Sequence, residues 1–373
     1  MSKNKFKQTA EELLSIAGIE VDGKKPWDIK VNNDMFFKRV LSQGSIGLGE
    51  SYMDGWWGCP QLDEFFNRIF KSQLENKVKH NWKLLFNIIS PRLFNLQSQK
   101  RSFKVGEQHY DAGNDLYMNK LCKRMVYTCA YWKNADNLDD AQEHKLDLIC
   151  RKIGLKPGMK VLDIGCGWGS FAKFAAEKYK VSVTGITISK EQVKLGNERC
   201  KGLPVEIRLQ DYRDVDETFD HIVSLGMFEH VGYKNYRTYM KVVHRCLKDD
   251  GLFLLHTIGG NESVTTTDPW IKKYIFPNSM LPSIKQVGAS IEKLFVMEDW
   301  HNFSADYDKT LMAWYGNFEK NWGKISNNYD DRFFRMWRYY LLCCAGSFRS
   351  RSNQLWQIVL SKYGVPGGLV SIR

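Results

Sequence analysis

No run in the 373 residues approaches the roughly 20 consecutive apolar side chains that cross a bilayer, so any membrane contact is expected at its surface. The opening residues, Met1-Ser2-Lys3-Asn4-Lys5, are polar where a secretory signal would carry an apolar core. The nine cysteines include no paired C-x-x-C sets, which argues against both a disulfide framework and a zinc cluster, and a reduced, cytosolic setting is expected. No ligand cluster for any other metal stands out either. Internal repeats and low-complexity tracts are missing, which sets aside solenoids and disordered arrays.

What is abundant is aromatic and basic. Trp, Tyr and Phe number 12, 17 and 21, enough to furnish a core and also to line an apolar tunnel or face a cation. The formal net charge of +12 draws anionic partners, with nucleic acid and acidic phospholipid the two obvious classes. Charge alone does not separate them.

Residues 1–90 read as a small α-rich domain. An amphipathic helix is expected over 7–18, with Leu13, Leu14, Ile16 and Ala17 on its apolar side. A strand follows at Trp27–Val31, then a glycine-punctuated stretch over 34–57 and a helix over 62–70. The segment 71–104 sets eight Lys/Arg against the single acid Glu75, with Trp82, Leu84, Leu85, Phe86, Ile88 and Ile89 interleaved. Two readings fit it: a helix on a membrane surface, or one packing on the next domain with its lysines solvated. Pro91 should end that helix, and 91–107 reads as a linker before a domain spanning 108–373.

That domain is organised around Val161-Leu162-Asp163-Ile164-Gly165-Cys166-Gly167-Trp168-Gly169. An apolar strand runs into Asp163, three alternating glycines make the turn, and a helix begins at about 169. Such a turn allows positive φ and lets the backbone approach a ligand, while the helix start offers unsatisfied N–H groups. The spacing is tighter than the dinucleotide G-x-G-x-x-G pattern and resembles the first motif of Rossmann-like, class I S-adenosylmethionine (SAM) methyltransferases. Further strands are expected at 181–187, 205–210, 219–225 and 252–258, and helices at 139–153, 189–200 and 234–247. This alternation predicts an α/β fold with a doubly wound sheet. Strands at 294–299 and 355–363 would complete it, and aromatic helices at 306–323 and 330–349 read as substrate-binding elaboration.

Ligands of such a sheet sit at the carboxyl ends of its strands. The second strand delivers Thr187 and Gln192, which can bond a ribose where the usual acid is missing; Ser189 beside them can also cap the next helix. The third delivers Asp211 and Tyr212, with Asp211 facing either an adenine amino group or Arg213. The fourth ends in Glu229 and the fifth in His256-Thr257-Ile258. A Glu and a His on neighbouring central strands at one rim point to chemistry.

Together with Tyr127-Thr128-Cys129-Ala130-Tyr131-Trp132, Met227-Phe228-Glu229-His230-Val231-Gly232, Trp300–Tyr307 and Cys343-Cys344-Ala345-Gly346-Ser347-Phe348, these motifs resemble the cyclopropane-fatty-acyl-phospholipid synthases. The likeness begins in the N-terminal domain at Gly49–Trp57 and runs almost to the C-terminus. It implies methylene transfer from SAM to the cis double bond of a phospholipid acyl chain, with bicarbonate as base. By motif position it implies Cys129, Glu229, His256, Tyr307 and the amide of Ile258 as the groups holding that anion; an anion beside Glu229 also demands a compensating proton or cation, for which His256 is the natural candidate. It also points to Cys344, whose apolar neighbours suggest packing instead. SAM would lie on Asp163, Gly165, Cys166, Gly167, Trp168, Gly169, Thr187, Gln192, Asp211 and Tyr212, with Tyr127 and Thr128 closing over it. The partners implied are a phospholipid surface and its unsaturated acyl chains, not nucleic acid, from a peripheral position on the inner face of the membrane. A homodimer is suggested by the same resemblance.

Overall fold

The computed structural model describes residues 3–73 and 114–373. Nearly all of the basic stretch 71–104, the linker 91–107 and the residues 108–113 lie outside the described residues. The chain divides into two compact units that are not contiguous in sequence. One comprises the described residues up to 73 with Thr267–Pro277 and Tyr307–Asn353; the other comprises 114–266, Asn278–Asp306 and Gln354–Arg373.

The first unit is helical, with a two-stranded ribbon of β1 (Lys30–Val31) and β2 (Trp57–Gly58). The strand expected at Trp27–Val31 shrinks to its last two residues, because Trp27 turns out of the ribbon to lie under the Arg68 guanidinium, 3.8 Å from its ring centroid. The glycine-punctuated stretch forms a helix, Met35–Met53, interrupted by a non-helical Gly44. Gly49 survives inside it because Trp270 of the helix Pro269–Tyr274 lies where a side chain would stand. Next to it, Glu50 accepts from Arg39 at 2.6 Å, Lys273 at 2.5 Å and Tyr274 at 2.8 Å. The long helices Ala305–Ile325 and Asp331–Arg349 form close to the expected places. From Tyr307 onward they belong to this unit, although reading in chain order assigns them to the domain 108–373. Gly346 is the reason: a Cβ there would stand 2.7 Å from the Asp63 carbonyl and from Phe66 on the helix Leu62–Lys71, so the two helices meet backbone to backbone. Arg349 then ties Asp63 at 2.6 Å to Asp308 at 2.9 Å.

The second unit carries β3 (Lys160–Ile164), β4 (Ser182–Thr187), β5 (Val205–Leu209), β6 (Phe219–Leu225), β7 (Leu247–Gly260), β8 (Val296–Asn302) and β9 (Asn353–Ser361) in the order β5-β4-β3-β6-β7-β9-β8. β3 through β7 pair in parallel and β8–β9 is antiparallel. This is the doubly wound α/β sheet expected, with a Rossmann-like strand reversal between β3 and β6. Val161, Leu162 and Ile164 are buried, as a strand covered on both faces requires. Leu162, Ile222, Phe253 and Ile358 share one core with Tyr239, Met240 and Val243 of the helix Tyr236–Cys246. The helix Leu138–Lys152 starts at an Asn137 cap accepting from Asp140 N–H, with acids in its first turn and Arg151 and Lys152 in its last.

Candidate active site

At the strand reversal the glycine turn leaves β3 with Gly165, Gly167 and Gly169 all at positive φ. Gly165 is the position that cannot change, since a Cβ there would lie 2.6 Å from the Met227 side chain. Two turns, one after β3 and one after β6, are thereby pressed together. Asp163 is 1% exposed, and neither carboxylate oxygen has a hydrogen-bond partner. Burial pushes its carboxyl up to about 7, against the pull of the Lys145 charge. Cys166 and Trp168 are buried, Trp168 with its ring 4.9 Å from that of Tyr117. Tyr127 meets the same tyrosine edge-on.

At the end of β4, Thr187 donates to Gln192 Oε1 at 2.6 Å, so the two ribose candidates are held together at the rim. Ser189 does cap the helix Lys190–Arg199, accepting from Gln192 N–H. Asp211 is buried and its nearest cation is Arg213, at 3.3 Å, with the Arg213 N–H also donating to it. Tyr212 packs its ring 5.0 Å from Tyr239.

Beyond β6, the short turn Phe228–His230 points Glu229 inward, anchored by Phe228 stacking on Tyr236 at 4.2 Å. Glu229 Oε1 accepts from Ile258 N–H at 2.6 Å, and its backbone carbonyl accepts from Met280 N–H at 2.9 Å. Oε2 is buried without a partner, and burial pushes the carboxyl up to about 7. The Ile258 amide is thus engaged by Glu229 itself. His256, 1% exposed, sets Nδ1 3.4 Å from Gln357 and leaves a buried Nε2 without a partner. Burial, helped by the charges of Lys145 and Lys152, holds it well below its usual pKa. Burial thus favours the neutral imidazole over the imidazolium that a compensating cation beside Glu229 calls for.

The segment carrying Thr128 and Cys129 is strapped to the helix Leu138–Lys152. Gln142 donates to the Thr128 carbonyl at 2.8 Å, Lys145 to Thr128 Oγ1 at 2.9 Å, and Tyr131 N–H to the Ala141 carbonyl at 3.0 Å. The Thr128 methyl lies 2.6 Å from where a Gly226 Cβ would be, and Gly226 N–H donates to the His256 carbonyl. Cys129 is fully buried, its thiol 3.2 Å from the Ala130 carbonyl. Glycine turn, Thr128-Cys129, Glu229, His256 and Ile258 all belong to the sheet unit.

Tyr307 and Cys344 belong to the helical unit. Tyr307 is buried with its ring 4.5 Å from Phe348. Cys344 is half-buried on the helix Asp331–Arg349, and burial pushes its thiol up to about 12, so it is no thiolate at neutral pH. Sequence reasoning missed Gln142 and Lys145. Their signal was present: two long polar residues three apart on the face that also holds Leu138, Ala141, Leu146 and Ile149.

The profile of the mycolic acid cyclopropane synthetase family matches residues 97–358. The chain is 59% identical over 360 residues to the cyclopropane-fatty-acyl-phospholipid synthase of Escherichia coli K12, covering 96% of this chain and 94% of that one. Among solved structures, the mycolic acid cyclopropane synthase CmaA1 complexed with SAH and CTAB is 33% identical, with a TM-score of 0.65 over 70% of this chain and 98% of that one. The cyclopropane synthase MmaA2 of Mycobacterium tuberculosis is 30% identical, with the same TM-score and the same coverage of both chains. With its glycine turn at the strand reversal, its Glu229 in the turn beyond β6 and its His256 on the adjoining β7, this chain belongs to the mycolic acid cyclopropane synthetase family.

Proposed function

We propose that the protein is a SAM-dependent cyclopropane-fatty-acyl-phospholipid synthase, adding a methylene across a cis double bond of an unsaturated phospholipid acyl chain. The identity to the E. coli enzyme supports the reaction class, and the SAH complex of CmaA1 supports the methyl donor. The single observation that carries the chemistry is the pair of buried, unpartnered atoms Glu229 Oε2, in the turn just beyond β6, and His256 Nε2, on the neighbouring β7.

An alkene is a weak nucleophile, so the sulfonium methyl has to be held in line with it where water is excluded. The S–CH3 bond breaks as the π electrons form the new C–C bond, SAH departs, and a carbocation remains. A proton then leaves the new methyl and its C–H electrons close the ring. In this account Asp163, the glycine turn, Thr187, Gln192, Asp211 and Tyr212 hold the donor, with Tyr127 and Thr128 over it. Glu229 Oε2 presents an acceptor atom for the departing proton, while neutral His256, whose Nδ1 accepts from the Gln357 amide, presents its Nε2–H as a donor. A buried carboxyl near 7 can take and release a proton at physiological pH. The Nε2–H of His256 and Glu229 Oε2, when protonated, fit a small hydrogen-bonding anion beside Cys129; bicarbonate there would supply a base of moderate strength. Cys344 has no part in bond making.

The phospholipid would be reached from the membrane surface, since no described helix is long and apolar enough to span a bilayer and the chain carries a net +12. The N-terminal residues with the stretch 71–104 are the proposed lipid-facing domain, on the cytoplasmic face, and a homodimer is the proposed assembly. The test is incubation with methyl-labelled SAM and vesicles of cis-monounsaturated phospholipid, reading the acyl chains by gas chromatography and proton NMR. Label in a cyclopropane ring is expected. Label in a branched chain, or none in lipid, overturns the proposal.

A further inference from the structure

Lys145 has no role in the reaction as described, yet it is the most demanding residue around the site. Its side chain is fully buried on the helix Leu138–Lys152. An ammonium carries three N–H donors. Among the described residues, Lys145 uses one of them, to the neutral hydroxyl of Thr128 at 2.9 Å. Leaving a buried ammonium with two donors unmatched is costly unless a further acceptor enters.

Its surroundings are equally incomplete. Asp163, the carboxylate whose charge acts on Lys145, is itself buried with both oxygens unpartnered, and no hydrogen bond joins the two. The other polar groups facing Lys145 are the Cys122 and Cys129 thiols, and His256, whose pKa burial lowers first and the Lys145 charge lowers further. Thr128 fixes the place: its methyl abuts the Gly226 turn, whose N–H bonds the His256 carbonyl, and Cys129 is the next residue along. The helix holds this segment from behind through Gln142 as well. An ammonium with two unmatched donors among the described residues therefore stands at Thr128, its charge felt by both Asp163 and His256.

We propose that the Lys145 ammonium is an anion-holding group of the active site, binding a carboxylate-type anion across Thr128. Two sources share that chemistry: the amino-acid carboxylate of SAM, and bicarbonate. The inference rests on the functional reading above. It gives the Gln142–Lys145 strap a purpose beyond packing.

The experiment compares wild type with Lys145→Met by two binding readouts that need no turnover. Calorimetry measures SAH and, in parallel, 5′-methylthioadenosine, which lacks the amino-acid end. Thermal melts measure stabilisation by sodium bicarbonate against sodium chloride at equal ionic strength. A roughly 10–100-fold loss of SAH affinity with methylthioadenosine unchanged identifies the SAM carboxylate as the anion. Loss of the bicarbonate stabilisation with SAH unchanged identifies the small anion. Equal weakening of SAH and methylthioadenosine, with the bicarbonate stabilisation kept, marks a structural residue and overturns the proposal; so does no change in any readout. If Lys145→Met does not fold, Lys145→Arg keeps the charge and Lys145→Gln keeps a hydrogen-bond donor. Anion binding retained in the first and lost in the second supports the proposal, and equal behaviour overturns it. Wild type that fails to bind SAH at all contradicts the functional reading itself, and this inference falls with it. The ratio of variant to wild type tests Lys145 alone.

Discussion

Two buried glutamates, one in each compact unit, do opposite things with the same side chain. Glu50 is surrounded: Arg39, Lys273 and Tyr274 all donate to it, and these bonds outweigh burial and hold its carboxyl down at about 2. Glu229 receives one amide, keeps Oε2 unpartnered, and burial lifts it to about 7. A carboxylate whose lone pairs are filled is an anchor; one left short of partners in a dry place is ready to exchange a proton. Burial alone does not tell them apart, for Glu50 is 9% exposed and Glu229 5%. Their partners do.

The sharpest way to break this contrast is to neutralise each glutamate in turn. Glu229→Gln should lower ring formation by about 10²–10⁴-fold while SAH affinity by calorimetry stays within about twofold. Loss of SAH binding in that variant would move Glu229 into the binding site and out of the proton chemistry. Glu50→Gln should act on stability instead, costing about 2–4 kcal/mol in urea unfolding because Arg39 and Lys273 lose their shared acceptor. An unchanged midpoint would show that the cluster anchors nothing.

Acid and base should separate the pair more finely. The depressed Glu50 stabilises the fold fully above its ordinary 4.5 and loses that contribution as pH falls toward about 2. The raised Glu229 behaves in reverse: stability is greatest below 4.5 and declines as pH rises through about 7. Relative to wild type, Glu229→Gln should therefore melt higher at pH 8 than at pH 4, and Glu50→Gln should deviate most above pH 4.5. The smallest effect is expected at Cys344. With its thiol near 12, Cys344→Ser should keep activity within about twofold, and Cys344 should resist iodoacetamide at pH 7.5 in the native protein.

The rim of the sheet was legible from sequence because its signals are local. Strand, glycine turn and helix start lie within a dozen residues at 160–171, and the ends of β6 and β7 announce themselves by a charged residue after an apolar run. What escaped was whatever depends on partners distant in sequence. Nothing near Glu50 announces Lys273 and Tyr274, more than 220 positions away, and nothing near Gly346 announces the helix Leu62–Lys71. Nothing near His256 in sequence announces the burial and the Lys145 and Lys152 charges that lower its pKa. Thr187 and Gln192 were rightly placed at one rim, but only the fold shows them bonded to each other.

The most direct test of an unsatisfied carboxylate at work is the deuterium isotope effect with SAM carrying a CD3 group. Wild type should place CD2 in the ring, one deuterium having left the transferred methyl. In Glu229→Gln the residual ring formation should show a larger isotope effect than wild type, because loss of the proton becomes the slow step. A product retaining all three deuteriums, or an isotope effect equal in both proteins, would contradict the account.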